Sequence, residues 1–230
     1  MRYFLSIFLI TSCIFLGNSQ TYEVGGFLGG TNYIGDIGKT NYISPNNLVF
    51  GGIFKWNRSA RHSFRGSIMY GEIKGDDSES SEERRKQRGY SFNNSILEAS
   101  VGLEYTFWEF NIHSGYPEGT PYLYTGLTYF GYNALYKRGN DQIVEYDNAG
   151  SIAIPMVIGY KATVGSRFVI GFEIGARYTF TDNLDGSNPT GGLADEETLK
   201  FGNINSDDWY VFTGVSLTVM FGRKPCYCNF

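Results

Sequence analysis

Residues 209–222 read Trp209-Tyr210-Val211-Phe212-Thr213-Gly214-Val215-Ser216-Leu217-Thr218-Val219-Met220-Phe221-Gly222. Alternate side chains of a strand point to opposite faces. The odd positions form a ladder of large apolar groups bracketed by aromatics, and the even ones turn small or polar toward the end, at Gly214, Ser216 and Thr218. Such a strand meets lipid on one face and a cramped, hydrated lumen on the other. The alternation recurs upstream. Phe168, Ile170, Phe172 and Ile174 oppose Val169, Gly171, Glu173 and Gly175, while Leu97, Ala99, Val101 and Leu103 oppose Glu98, Ser100, Gly102 and Glu104.

Working outward, eight strands are predicted, at residues 22–33, 47–56, 62–74, 92–107, 121–135, 151–163, 167–182 and 208–222. Links after the second and sixth strands are very short, the one after the fourth is moderate, and those after the third, fifth and seventh are long and polar. An even strand number with tight turns at one end and long loops at the other is the outer-membrane arrangement, turns in the periplasm and loops outside. The expected fold is therefore all-β, an eight-stranded antiparallel transmembrane β-barrel with a filled lumen. A soluble barrel with the apolar faces inward would place Glu98, Glu104, Glu173 and Arg177 in water. Its outer face would carry more Lys and Glu, and it would need no aromatic rims.

At 230 residues the chain is one domain with tails. Arg2, an apolar run over residues 4–16 and Gly17-Asn18-Ser19 read as a signal peptide over 1–19. An apolar core of about 13 residues is too short to span a bilayer as a helix. The barrel is assigned to 20–222 and a periplasmic tail to 223–230. A net charge of -4 gives no reason to expect nucleic acid. Aromatics make up 17% of the chain, which suits a barrel.

On this reading Glu23, Arg65, Glu98, Glu104, Lys161, Glu173 and Arg177 face the lumen as a network of paired charges, because isolated buried charges are costly. An eight-stranded barrel is narrow enough to be filled by its side chains, so no pore is expected. Nor is an enzyme. His62-Ser63 and His113-Ser114 are neighbours in sequence, and adjacent strand residues face opposite ways. Asp182-Asn183-Leu184-Asp185-Gly186 lacks the distal acid of a calcium loop and reads as the outer rim of the seventh strand. The charge-mixed residues 76–88 read as a solvated, mobile loop. No cofactor or metal site is expected. In the tail, Cys226 and Cys228 sit where the compartment is oxidising. A disulfide to a partner, a strained local disulfide and two free thiols remain open. Arg58, Arg61, Arg223 and Lys224 make the periplasmic end locally basic.

Three stretches resemble one family, the PorG-type outer-membrane proteins of the type IX secretion and gliding motility system. They are Phe27-Leu28-Gly29-Gly30-Thr31-Asn32-Tyr33-Ile34-Gly35-Asp36, Lys55-Trp56-Asn57-Arg58-Ser59-Ala60-Arg61, and the run from Ser95 to Tyr105. Arg177-Tyr178-Thr179-Phe180-Thr181-Asp182 fits the same pattern, although that family has an aromatic and a second acid where this chain has Asn183 and Gly186. The resemblance implies a small barrel that ties the periplasmic ring of a protein-export machine to the outer membrane, with neither catalysis nor a channel. Docking would use Arg58, Arg61, Arg223, Lys224, Cys226 and Cys228. The partners so implied are the outer-membrane bilayer and the ring proteins, the latter through a possible intermolecular disulfide. The alternative is an adhesin or receptor acting through the long outer loops.

Overall fold

A computed structural model describes residues 21–111, 114, 116–139, 142–203 and 206–222. The signal segment and the tail assigned from sequence lie outside them. Eight strands follow in order: β1 Thr21–Ile34, β2 Asn47–Asn57, β3 His62–Asp76, β4 Ser91–Thr106, β5 Gly119–Lys137, β6 Ile143–Val164, β7 Phe168–Thr179 and β8 Trp209–Gly222. Each pairs antiparallel with the next. β8 returns to β1 along a seam running from Thr21 opposite Gly222 to Ile34 opposite Trp209, which closes the barrel.

Period two governs the wall. Along β3 the side chains of Ser63, Arg65, Ser67 and Met69 are buried, while Phe64, Ile68 and Tyr70 are exposed. The outward set makes a continuous apolar band that includes Leu28, Phe50, Leu97, Leu127, Ile158 and Leu217. Among the described residues, none of its outward positions carries a charge. Aromatic pairs rim the band at both ends. Tyr22 stacks on Phe54 and Phe221 at one rim, and Tyr178 packs against Phe180 and Trp209 at the other. Among the described residues no helix is long and apolar enough to cross a membrane.

Past the second rim the wall continues, and its outer face becomes polar at Glu72, Lys74, Asn93, Glu145 and Asp147. This extension corrects the predicted strand ends. β5 and β6 run on as one long hairpin to Lys137 and Ile143, where a long loop is predicted from sequence, with a register shift between Ala134 and Leu135. The shift breaks the alternation that would have marked the strands.

The residues predicted to be a mobile loop are also built otherwise. Asp77–Glu79 forms a 3-10 turn, and Glu83–Arg88 forms a short helix, α1. Acid at the first turn of α1, base at the last and Gly89 at φ 69 after it suit the helix dipole and a left-handed C-cap. The connection from β7 to β8 carries two more 3-10 turns, Gly191–Leu193 and Glu197–Leu199, and folds back over the barrel mouth.

Candidate functional site: the filled lumen and its two mouths

The short connections between β2 and β3 and between β6 and β7 share one mouth with the β4–β5 link, here the turn end; the opposite mouth is the loop end. Four carboxylates (Glu23, Glu98, Glu104, Glu173) and four cations (Lys55, Arg65, Lys161, Arg177) are buried inside. Glu104 is the hub toward the turn end, 2.8 Å from Lys55, 2.6 Å from Lys161 and 3.9 Å from Arg65. Arg65 grips Glu173 with two hydrogen bonds of 2.6 and 2.7 Å, and the Tyr122 hydroxyl donates to Glu173 at 2.5 Å. This planar fork suits a guanidinium better than an ammonium. One level up, Arg177 donates to both oxygens of Glu98, which also accepts from the Tyr210 hydroxyl at 2.8 Å.

Two features depart from the sequence reading. Glu23 takes its hydrogen bonds from neutral groups, Asn57 at 2.8 Å and Thr218 at 2.7 Å. Lys55 joins the network, a position hidden on a strand whose two faces both carry glycine and apolar residues. Lys55 lies beside both Glu23 and Arg65 in register, yet its ammonium goes to Glu104.

The loop-end half of the lumen is apolar, against the expectation of a hydrated interior. Val49, Ile73, Phe92, Ile96, Phe130 and Phe212 pack there with Ile37 and Leu184, which enter from connections. Tyr33 meets Phe92 edge to face, and Phe130 meets Tyr210 in the same way. Arg177 marks the boundary, its guanidinium 4.1 Å from the Phe212 ring centre. Full burial of an aliphatic or aromatic side chain contributes about 1.5–3 kcal/mol, so this half is a core in its own right.

At the turn end, the link from β4 to β5 reaches under the barrel. Phe110 is buried with Val169 and Met220, below the Lys161 ammonium at 4.7 Å. Its amide donates to Ala60 at 2.9 Å, and Glu118 accepts from the Asn111 amide. Trp108 and Tyr116 remain exposed, as do Arg58 and Arg61. Arg61 lies 3.5 Å from Glu109, which offsets part of the expected basic character. Ser59 stands 3.3 Å from His62 Nδ1, but its oxygen also accepts the amides of Arg61 and His62, so the pair builds the turn. Arg223, Lys224, Cys226, Cys228 and His113 lie outside the described residues.

At the loop end, the cap is acidic. Asp208 receives the Leu184 amide at 2.9 Å and the Tyr33 hydroxyl. Asp185 receives the Ser187 amide at 2.9 Å, and Asp36 receives the Asn203 amide at 2.9 Å. Burial, with Asp36, Asp185 and Asp207 around it, pushes the Asp182 carboxyl up to about 7. Burial likewise raises Asp185, and burial with the neighbouring Asp185 raises Asp208. Gly186, at φ +83, presses on Leu135 and Ile143, where a Cβ would stand 3.1 Å from each. On the other side Arg88 is held by Asp77 at 2.8 Å and by the Asp36 carbonyl at 2.6 Å, while Arg85 donates to the carbonyls of Gly35 and Gly38.

A family model described as a domain of unknown function, DUF6089, matches residues 1–230. No curated protein matches the chain. Among solved structures, the chain is similar to OprG from Pseudomonas aeruginosa, at 8% identity and TM-score 0.47, over 89% of this chain and 97% of that one. It is also similar to Ail, the attachment invasion locus protein of Yersinia pestis, at 10% identity and TM-score 0.45, over 88% and 99%. A third is Neisserial surface protein A, at 10% identity and TM-score 0.44, over 88% and 95%. These likenesses are distant, and the closed register stands without them.

Proposed function

This chain belongs to the DUF6089 family, and we propose that it is an integral outer-membrane barrel that anchors the periplasmic ring of a type IX protein secretion machine. One observation carries the scaffold reading: the interior is occupied from mouth to mouth, by paired charges toward one end and packed aromatics toward the other. A barrel so filled offers its surface rather than a path. The uncharged outer band, rimmed by aromatics, supports membrane residence. The link to the secretion machine rests on the resemblance in the stretches around Phe27, Lys55 and Ser95. The long connections direct their buried side chains onto the barrel itself, so no specific observation favours the receptor alternative.

Docking is assigned to the turn end, which faces the periplasm in this reading. Arg58 and the exposed rings of Trp108 and Tyr116 supply the surface, together with Arg223, Lys224, Cys226 and Cys228 of the tail. Part of the β4–β5 link is already used to seal the mouth through Phe110, which narrows the face available to a partner. The deciding experiment is recovery of the ring from detergent-solubilised envelopes, with and without reductant, beside a cargo-export assay. Removing residues 223–230 is expected to leave the barrel at normal levels and to reduce both ring recovery and export. The paired Cys226→Ser and Cys228→Ser change is expected to do so less severely. Normal recovery and export with the tail removed would send the docking site elsewhere. In planar bilayers the purified barrel is expected to show little conductance, and large, stable single-channel currents would reopen a transport role.

A further inference from the structure

Asp185 and Asp208 converge on one hydroxyl, and the hydrogen count there does not close. Tyr33 O–H has a single proton to donate, and it goes to Oδ1 of Asp208. The other oxygen of Asp208 is occupied by the Leu184 amide, and Oδ1 of Asp185 by the Ser187 amide. Oδ2 of Asp185 belongs to a side chain that is 0% exposed, lies beside the same Tyr33, and has no hydrogen-bond partner. A buried carboxylate oxygen without a donor costs free energy, and two carboxylates sharing a site do not both ionise readily. A proton on either acid supplies the missing donor.

We propose that this constellation is a proton lock: one proton held between Asp185 and Asp208 at Tyr33 keeps the β7–β8 connection clamped on the loop-end mouth, and loss of that proton releases it. The clamp reaches the core directly. The Leu184 amide hangs on Asp208, its carbonyl accepts from Asn94 at 2.8 Å, and its side chain is fully buried in the apolar half of the lumen.

The surroundings favour holding the proton. Asp36 faces Asp185 from the segment after β1, Tyr132 faces Asp208 from β5, Asp182 faces Asp208 from the connection itself, and Asp207 faces Asp182. Arg88 of α1 is a cation within electrostatic reach of Asp185, and its guanidinium is committed to Asp77 and the Asp36 carbonyl. Among the described residues no three His, Cys, Asp or Glu side chains gather closely enough to hold a metal ion. Both carboxyls are held above their ordinary range. The closed form is therefore fully favoured in acid, and loses that contribution as pH rises through the closed-state values.

The test is hydrogen exchange of the peptide covering residues 182–188 in the purified, micelle-embedded full chain, with and without EDTA, with rates corrected for the intrinsic effect of pH. Protection is expected to fall about tenfold or more between about pH 5 and pH 9 while the strands stay protected. Asp185→Asn brings a permanent donor and should keep the peptide protected at the alkaline end. Tyr33→Phe removes the hydroxyl on which both acids converge and should shift the pH of opening. Asp195→Asn, at an exposed acid of the same connection, should leave the profile unchanged. A wild-type profile flat with pH would overturn the lock. So would an unaltered alkaline loss in Asp185→Asn, or a loss that follows chelator at constant pH, which would assign the clamp to a cation. Should Asp185→Asn fail to fold, Tyr33→Phe decides, and an unshifted opening in that variant rejects the proposal.

Discussion

Toward the turn end the lumen is filled by Glu104, Glu173 and the cations that reach them; toward the loop end it is filled by Ile73, Phe92, Phe130 and Phe212. Both halves exclude water from the same narrow tube, yet their stability is organised differently. In the polar half each group is needed because its partner is buried with it, so the unit is the pair. In the apolar half each side chain contributes by its own area, so the unit is the residue. The first arrangement is intolerant of single changes and tolerant of matched ones, and in the second every change adds its own cost.

The largest expected effect sharpens that contrast. Glu104→Gln leaves Lys55 and Lys161 buried without their carboxylate, and breaking buried pairs in this way costs about 3–5 kcal/mol. Replacing both members of the other pair, Arg65→Met with Glu173→Leu, should come out near neutral or better than either single change. In the apolar half Ile73→Ala and Phe92→Ala should each cost about 2–5 kcal/mol, and their combination more than either alone. Urea unfolding, followed by the migration of unheated samples on gels, measures all seven, the two single parents of the charge replacement included. If the matched charge replacement proves worse than both of its parents, the pairwise account of the polar half is wrong.

The next effect lies outside the tube. Ile174→Arg or Leu217→Arg places a cation in the uncharged band and should cost about 2–4 kcal/mol near the middle of a bilayer. Assembly into membranes, scored by resistance to alkaline carbonate, reads it directly. Wild-type protein extracted as freely as a soluble one would remove the membrane from the account altogether.

Smaller still is the pH response of the cap around Asp182. Its carboxyl is raised to about 7, so its contribution to closure is complete below the ordinary aspartate range and declines as pH rises through about 7. The residue is partly exposed while both carboxyl oxygens are buried, so screening by solvent is incomplete. Limited proteolysis between residues 183 and 207 should become faster across that interval, and Asp182→Asn should lessen the change while leaving the part set by Asp185 and Asp208. Smallest of all, Arg84→Glu on the exposed face of α1 should fall within about 0.5 kcal/mol of the parent in the same urea assay.

Strand number, closure and the lipid-facing set were legible because period two is a local signal, repeated wherever one face meets lipid. The polar extension of the wall was not. Beyond the aromatic rim both solvent and turn chemistry change, so Glu145, Asp147 and Asn148 look like loop residues although they pair with β5. The register shift at Ala134 hides the alternation further. Lys55 escaped notice because Gly51-Gly52 and apolar residues on both faces of its strand blur the alternation, whereas Glu98 and Glu104 stood out against regular apolar neighbours. Least legible was the cap. Asp36 meets Asn203 across 167 positions and Tyr33 meets Asp208 across 175, and no local pattern carries such distances. The short helix did announce itself, through its acid-to-base order and Gly89, but its charges outweighed that signal.

The seam between β1 and β8 has a consequence for how the protein is made. Thr218 and Glu23 meet across it from 195 positions apart, so the first strand waits for the last before either has a neighbour on that side. Closure of such distant ends is slow, and until it happens two unpaired edges must be kept from lipid. A nascent chain is thus committed only once its final strand is delivered. Loss of the last few ladder residues, at Val219 or Phe221, would then act as a failure of biogenesis rather than a modest loss of stability.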